Sequence, residues 1–306
     1  MQGTRRDPRK TDGIAPRYRG RFAPSPSGPL HFGSLVAAVG SYLQARSVEG
    51  IWLVRIDDVD TPRTVNGASD NILHTLEALK LFWDNDVIYQ SRRAANYKDA
   101  LDSLSASQIT FNCACTRKEL AGRVYPGTCR NGVPTNKQAR SVRVAVDAGV
   151  ISFHDKVQGH HAQNLSRDVG DFVIRRGDGE IAYHLATVVD DAFDGITEIV
   201  RGSDLLDSTP RQILLQRLLH LPTPVYAHLP IAVNGAGAKL SKQNHAPALD
   251  SKNLASSAFR ALQFLGQSPP RDLLGERPDV LWTWGVDNWR VKSVPSKKEI
   301  LETARL

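Results

Sequence analysis

Cysteine is scarce in this chain of 306 residues: there are three, Cys113, Cys115 and Cys129, all in one short stretch. An odd, clustered set in a chain of this length excludes a disulfide framework and makes a reducing, cytoplasmic location the expectation. Long apolar runs are also missing, and none approaches the ~18 residues that a membrane span needs. The first 17 residues carry basic side chains but no apolar stretch, which excludes a secretory signal and reads as a flexible basic arm. Asp7 and Asp12 count against a transit peptide. Internal repeats and low-complexity tracts are absent. Acidic charge is in deficit: 39 Lys and Arg against 32 Asp and Glu give a net charge of +7. That balance suits a polyanionic partner such as RNA, without excluding an ordinary basic protein. With 41% hydrophobic and 23% charged residues, what remains is a well-packed chain, large enough for one big domain with an insertion.

The apolar spacing places the elements. Tyr18 to Ala23 reads as a strand, and Pro24, Pro26, Gly28 and Pro29 as a rigid loop that cannot be helical. Helical spacing follows from Gly33 to Val48 and from Asn66 to Leu81, with the compact apolar strand Ile51 to Ile56 between them. Strand, helix, strand, helix is the pattern of a parallel α/β sheet, whose ligands bind at the carboxyl ends of the strands. From 109 to 170 the pattern breaks into turns and short strands, which reads as an inserted subdomain. The α/β pattern resumes at Asp171 to Arg176 and continues with Ile196 to Val200. Ser208 to Leu219 is expected as a helix capped by Ser208 with Pro210 in its first turn, and Val225 to Val233 as a further strand. Two helices and a basic tail are expected after Leu254. The expected organisation is therefore an arm (1–17), the first half of a catalytic domain (18–108), an insertion (109–170), the second half (171–249) and a helical C-terminal region (250–306).

Two strings carry chemistry. The first, RFAPSPSGPLHFGS from Arg21 to Ser34, runs from a strand through a Pro/Gly loop to His31 and Gly33 at a helix start. A helix N-terminus offers N–H groups and a positive dipole to a phosphate chain. Gly33 has no side chain to keep an adenine ring away, and His31 can donate to a phosphate oxygen. The second string is KLSKQ, Lys239 to Gln243, beside Gly235 and Gly237. Two lysines three apart on a glycine-flanked loop make a cationic clamp suited to a leaving pyrophosphate. Taken alone, each has a plain alternative: a loop with a surface histidine, and a solvated charge pair.

Together, in this order, the strings resemble the HIGH and KMSKS signatures of class I aminoacyl-tRNA synthetases. The approach from Arg21 to Gly28 resembles the glutamyl/glutaminyl branch, as do Arg55 to Asp60 with Pro62 and Arg63, Tyr183, and Val200 to Asp204. The resemblance covers about Arg19 to Leu249. It implies an α/β fold, a Rossmann-like doubly wound parallel sheet with an inserted zinc-binding, acceptor-like subdomain and a short helical C-terminal region. It also implies site residues: His31, Gly33, Ser34, Lys239, Ser241 and Lys242 for ATP, with His31, Lys239 and Lys242 catalytic. Arg21, Phe22, Ala23, Pro24, Ser25, Asp57, Tyr183 and Arg201 would hold glutamate, and Mg²⁺ would accompany ATP. Arginines are apt here, because a substrate with a second carboxylate calls for a bidentate cation.

Three details are similar to the glutamyl-Q tRNA(Asp) synthetase family within that branch. Ser34 stands where larger relatives carry a second histidine. The second string runs on as QNHAPAL, Gln243 to Leu249. Fewer than sixty residues follow Leu249, too few for an anticodon-binding domain of the usual kind. The resemblance implies tRNA-independent formation of glutamyl-adenylate and transfer of glutamate to queuosine at the wobble position of tRNA(Asp). The expected partners are thus ATP, L-glutamate and the queuosine-containing tRNA(Asp) anticodon stem-loop, with no membrane and no obligate protein partner. A short glutamyl-tRNA synthetase charging the 3′ end, or a silent tRNA-binding paralogue, are the alternatives. Intact His31, Lys239 and Lys242 count against the second. One residue departs from the family: Asp57 stands where Glu is usual, one methylene shorter, so its contact to a substrate ammonium is expected to be long or water-bridged. Finally, Cys113, Cys115 and Cys129 suit a sulfur-loving ion such as Zn²⁺, and chemistry alone claims only these three. The resemblance implies Tyr125 as the fourth ligand of one structural zinc; three reduced thiols without metal are the alternative.

Overall fold

The computed structural model describes residues 17–120, 122, 124–147, 149–240 and 247–302. The first half alternates as β1 (Arg19–Phe22), α1 (Phe32–Arg46), β2 (Ile51–Ile56), α2 (Ala68–Ala78), β3 (Ile88–Tyr89) and α3 (Ala94–Ala106). The three strands are parallel in the order β1-β2-β3, with Arg19 opposite Ile51 and Arg55 opposite Ile88. β2 reads IWLVRI and is covered on both faces, as a crossover topology requires.

The middle comprises β4 (Thr110–Cys113), α4 (Arg117–Leu120), β5 (Ser141–Val144), β6 (Val150–Asp155), β7 (Gly159–Asn164), α5 (Leu165–Asp168) and β8 (Phe172–Arg175). Then follow α6 (Tyr183–Phe193), β9 (Glu198–Gly202), α7 (Thr209–Leu218), β10 (Val225–Leu229), β11 (Ile231–Val233), α8 (Leu254–Phe264), α9 (Pro278–Asn288) and β12 (Glu299–Leu301). β9, β10 and β6 run parallel, and the hairpin partner β7 closes that edge. The two parallel sheets meet where Thr197 N donates to Arg19 O at 2.9 Å. β1 and β9 lie side by side at this junction, with α1 packed against both, so the first and second halves of the chain meet there. That is the switch point at which open α/β sheets place their ligands.

Several sequence expectations are revised in detail. Within residues 109–170, β6 pairs with β10 through Asp155 and Tyr226 and so extends the core sheet. Conversely β8, expected in the core sheet, pairs antiparallel with β5 beside β4. Ser208 makes no side-chain cap; Pro210 does occupy the first turn of α7. Pro230 divides the stretch 225–233 into β10 and β11, since proline has no N–H for the ladder. β11 then pairs in parallel with β12, a strand the basic tail gave no reason to expect.

One apolar core packs α1 and β2 against α8 and α9; the other joins the middle strands to α6 and α7. The buried indoles bring their own acceptors. Trp52 Nε1 donates to Ser41 Oγ, Trp282 Nε1 to Leu79 O, and Trp289 Nε1 to Gln44 Oε1 at 2.7 Å. The C-terminal helices are thereby fastened to the first half of the sheet. Among the described residues no helix is long and apolar enough to cross a membrane.

Candidate active site and metal cluster

Two cavities lie at the carboxyl ends of β1, β9 and β10. The larger, about 470 Å³, is lined by Ala23 to Ser25, His31, Gly33, Ser34, Lys239 and Leu240, among others. His31 is the N-cap of α1, and its Nδ1 accepts from Ser34 N at 3.3 Å. Ser34 Oγ in turn accepts from His31 N at 2.8 Å, completing a reciprocal capping box. With Nδ1 accepting, the neutral ring carries its proton on Nε2. The serine thus fixes the histidine at the positive end of the helix.

The second string lies against the first. Leu240 O passes so close to Gly33 that a Cβ there would sit 3.1 Å from it. His31 bridges to Ala248, and Leu249 N donates to Leu30 O at 2.9 Å. Both flanks of 241–246 are therefore held at the helix start. Lys239 pairs with Asp204 on the cavity rim. Ser241 and Lys242, also expected here, lie outside the described residues.

The smaller cavity, about 140 Å³, is lined by Arg21, Phe22, Ala23, Asp57, Tyr183 and Arg201. It shares Phe22, Ala23, Ala37 and Gly202 with the larger one, so the two adjoin. Pro24 and Ser25 line the larger cavity, and Ser25 also a third opening. Backbone bonds set the floor: Asp57 N donates to Pro24 O at 3.0 Å and Val65 N to Pro26 O at 2.9 Å.

Beneath it is a buried ion network that sequence reading missed. Arg21 binds Asp191 through Nε and Nη2 at 2.9 and 3.0 Å. Arg55 reaches Asp191 at 2.7 Å and Asp57 at 2.8 Å. Asp190 accepts from Gln90, Tyr97 and Arg93, and Arg93 also pairs with Asp194. Burial opposes ionisation of Asp191, but the guanidiniums of Arg21 and Arg55 outweigh it and hold its pKa at about 2. At Asp57 burial wins over Arg55, and the pKa is pushed up to about 6. The only sequence signal for Asp190 and Asp191 was two acids facing inward on an otherwise apolar helix.

Arg201 is held from the opposite side. Its Nε donates to His228 Nε2 at 3.1 Å, and its Nη2 to Thr209 Oγ1 and Gln212 Oε1 at 2.8 and 2.7 Å. Its Nη1 is buried and has no hydrogen-bond partner among the described residues. A fixed guanidinium with one unmet donor on a cavity wall is suited to an incoming anion.

The third opening, about 510 Å³, lies between this site and the middle strands. It is lined by Asp57 and Tyr183 together with Arg63, Arg140, Arg143 and Arg176.

The cysteines converge as expected. Cys115 Sγ is 3.8 Å from Cys129 Sγ, and Tyr125 Oη is 3.4 Å from Cys113 Sγ and 3.9 Å from Cys115 Sγ. Sulfurs bound to one tetrahedral ion at 2.3 Å stand ~3.8 Å apart, so the donors fit a metal with little movement. Burial resists ionisation of Cys113, but the Tyr125 hydroxyl, the Cys115 backbone N–H and the Arg143 guanidinium bring its pKa down to about 7. Arg143 donates to that sulfur at 3.2 Å and lies over the Tyr125 ring. The three thiols could hold a metal ion.

Comparison with known proteins agrees with this geometry. The family described as tRNA synthetases class I (E and Q), catalytic domain, matches residues 17–125 and 127–265. The chain is 55% identical to the glutamyl-Q tRNA(Asp) synthetase of Dechloromonas aromatica, over 93% of this chain and 98% of that one. It is 53% identical to that of Aromatoleum aromaticum, over 93% and 92%. Among solved structures it is similar to a glutamate-tRNA synthetase from Elizabethkingia anophelis, with a TM-score of 0.78 and 23% identity over 94% of this chain and 68% of that one. The last likeness speaks to the fold.

Proposed function

The chain belongs to the glutamyl-Q tRNA(Asp) synthetase family of class I ligases, and on that premise we propose that it forms glutamyl-adenylate without RNA and passes the glutamate to queuosine in tRNA(Asp). The observation that carries this reading is the adjoining pair of cavities: one at the N-terminus of α1, the other walled by Arg21, Asp57, Tyr183 and Arg201. ATP would occupy the first, its phosphates facing His31, Gly33, Ser34 and Lys239, with Ser241 and Lys242 joining from the loop. Mg²⁺ bound with ATP would neutralise phosphate charge. Glutamate would occupy the second, its side-chain carboxylate between Arg21 and Arg201, its ammonium toward Asp57 and Tyr183, and its α-carboxylate toward Phe22 to Ser25.

An α-carboxylate oxygen then attacks the α-phosphorus, the bond to the pyrophosphate oxygen breaks, and pyrophosphate leaves. Positioning and charge stabilisation supply the rate, with no covalent enzyme intermediate. In the second step a hydroxyl of the RNA attacks the acyl carbon and AMP departs. The arginine-lined third opening, which reaches Asp57 and Tyr183, suits the approach of that RNA. The cysteine cluster with Tyr125 is read as a structural Zn²⁺ site.

The test is ATP–pyrophosphate exchange without RNA, then mapping of labelled glutamate on tRNA(Asp) with and without queuosine. Exchange that depends on glutamate, and label confined to the queuosine-containing anticodon stem-loop, are expected. Label on the 3′-terminal adenosine would overturn the acceptor in favour of a short glutamyl-tRNA synthetase.

A further inference from the structure

A buried polar chain joins the hairpin β6–β7 to the wall of the smaller cavity. Asp155, the last residue of β6, and His228, on β10, are both fully buried. Asp155 Oδ1 accepts from the backbone N–H groups of Val157 and Gln158 at 3.0 and 2.9 Å. His228 N also donates to this carboxylate, and its ring Nδ1 lies 2.6 Å from Oδ2. The far ring nitrogen, Nε2, faces Arg201 Nε at 3.1 Å.

The protons in this chain can be assigned from chemistry. An arginine Nε can only donate, so His228 Nε2 must accept. The neutral ring therefore keeps its proton on Nδ1, where the carboxylate receives it. Arg201 Nη2 is meanwhile used by Thr209 and Gln212, and the one hydroxyl proton of Thr209 has two acceptors in reach, Leu205 O and His228 Nε2, both at 3.1 Å. Every direction of the guanidinium is thus fixed except Nη1, the buried donor without a partner among the described residues, on a residue that lines the cavity.

We propose that Asp155 and His228 are positioning residues for substrate: the carboxylate sets the tautomer of the imidazole, and the imidazole sets the plane of Arg201, so that Nη1 meets the side-chain carboxylate of the amino acid. This inference rests on the reading of Arg201 as a glutamate ligand. It gives the middle segment a part in amino-acid selection, because Asp155 belongs to a strand from between the two halves of the sheet. Neither residue touches substrate, and neither takes part in a proton transfer.

The experiment compares His228→Phe, which removes the acceptor at similar size, with His228→Gln, whose amide oxygen can stand in for Nε2. Asp155→Asn is the third variant. ATP–pyrophosphate exchange gives separate KM values for glutamate and ATP, and thermal unfolding is followed alongside. For His228→Phe, the KM for glutamate is expected to rise about tenfold or more, because a directed charge-assisted bond is lost. The KM for ATP should stay within about twofold, since no ATP-side contact changes. His228→Gln should recover most of the loss. Asp155→Asn should raise the glutamate KM by ~3- to 10-fold through the weakened tautomer control. If His228→Phe does not fold, the Asp155→Asn and His228→Gln pair carries the comparison. Parallel rises in both KM values, or an unchanged glutamate KM in folded variants, would overturn the relay. A wild-type protein with no glutamate-dependent exchange would instead overturn the functional reading, and the relay with it.

Discussion

Two aspartates bonded to the same guanidinium, that of Arg55, have been tuned in opposite directions. Asp191 is kept ionised by Arg21 and Arg55, with its pKa at about 2, whereas burial lifts Asp57 to about 6. Asp191 therefore stays a fixed anchor under any physiological condition, but Asp57 loses its charge at mildly acid pH. An ammonium needs the carboxylate form, so the sign of the proposed contact is plain: ionised Asp57 would bind it, and protonated Asp57 would not. As pH falls through about 6 the KM for glutamate should climb, approaching ~10-fold per unit well below the pKa. Asp57→Asn should raise that KM and flatten its dependence between about pH 5 and 7, as the titrating group is gone. The measurement is glutamate KM against pH at saturating ATP; the same slope in both proteins would remove Asp57 from ammonium recognition. The sequence named Asp57 because it sits in a recognisable string, yet not its tuning. That depends on Arg55 and Asp191, which come together only when α6 packs beneath β2.

Among the elements, those whose apolar spacing is continuous were legible. α1, β2 and α7 fall within a few residues of their expected bounds, because each buries one periodic set of side chains. Pairings between distant strands were not legible. Nothing local tells β6 to lie beside β10, some seventy residues on, or β12 to lie beside β11. Asp155 and His228 were missed for the same reason: each looks like an ordinary polar residue on a strand until its partner arrives. The cysteine stretch was legible as donors, but the support behind it was not. Gly170, with φ of +69°, ends α5 and backs onto Tyr125. A Cβ there would lie 2.8 Å from Val124 Cγ1 and 3.0 Å from Tyr125 N. Gly170→Ala therefore combines a left-handed backbone penalty of ~1–2 kcal/mol with displacement of Tyr125, the proposed fourth donor. We expect about one zinc per chain in the wild-type protein and less in Gly170→Ala, with a melting point lower by several degrees. Metal analysis and thermal unfolding check this. A variant with full zinc and unchanged melting would show that the tyrosine segment does not need that glycine.

At the scale of the whole molecule, the two proposed half-reactions differ in how much charge they bring from outside. ATP and glutamate would enter small cavities where Lys239 is paired with Asp204 and Arg21 with Asp191. The RNA would meet a broader opening where Arg140 is exposed and Arg63 and Arg176 share Asp60, on a chain of net charge +7. Each phosphate neutralised there releases a condensed counterion, and the single-stranded loop contributes a slope of about −0.7 per phosphate in log K against log salt. With three or four phosphates held, transfer should fall by roughly twentyfold to fiftyfold in kcat/KM between about 50 and 200 mM salt. Exchange involves no RNA, and the buried Arg21–Asp191 pair is screened much less than an exposed one, so exchange should change by less than about twofold over the same range. The check is to measure both rates on one enzyme preparation across a salt series, using a queuosine-containing stem-loop as acceptor. Replacing Arg140, an exposed side chain at that opening, by glutamine should lower the transfer slope by somewhat less than one unit, about one phosphate's share, and leave exchange alone. If both steps lose activity in step as salt rises, the RNA is not held by this opening, and another basic face of the chain must receive it.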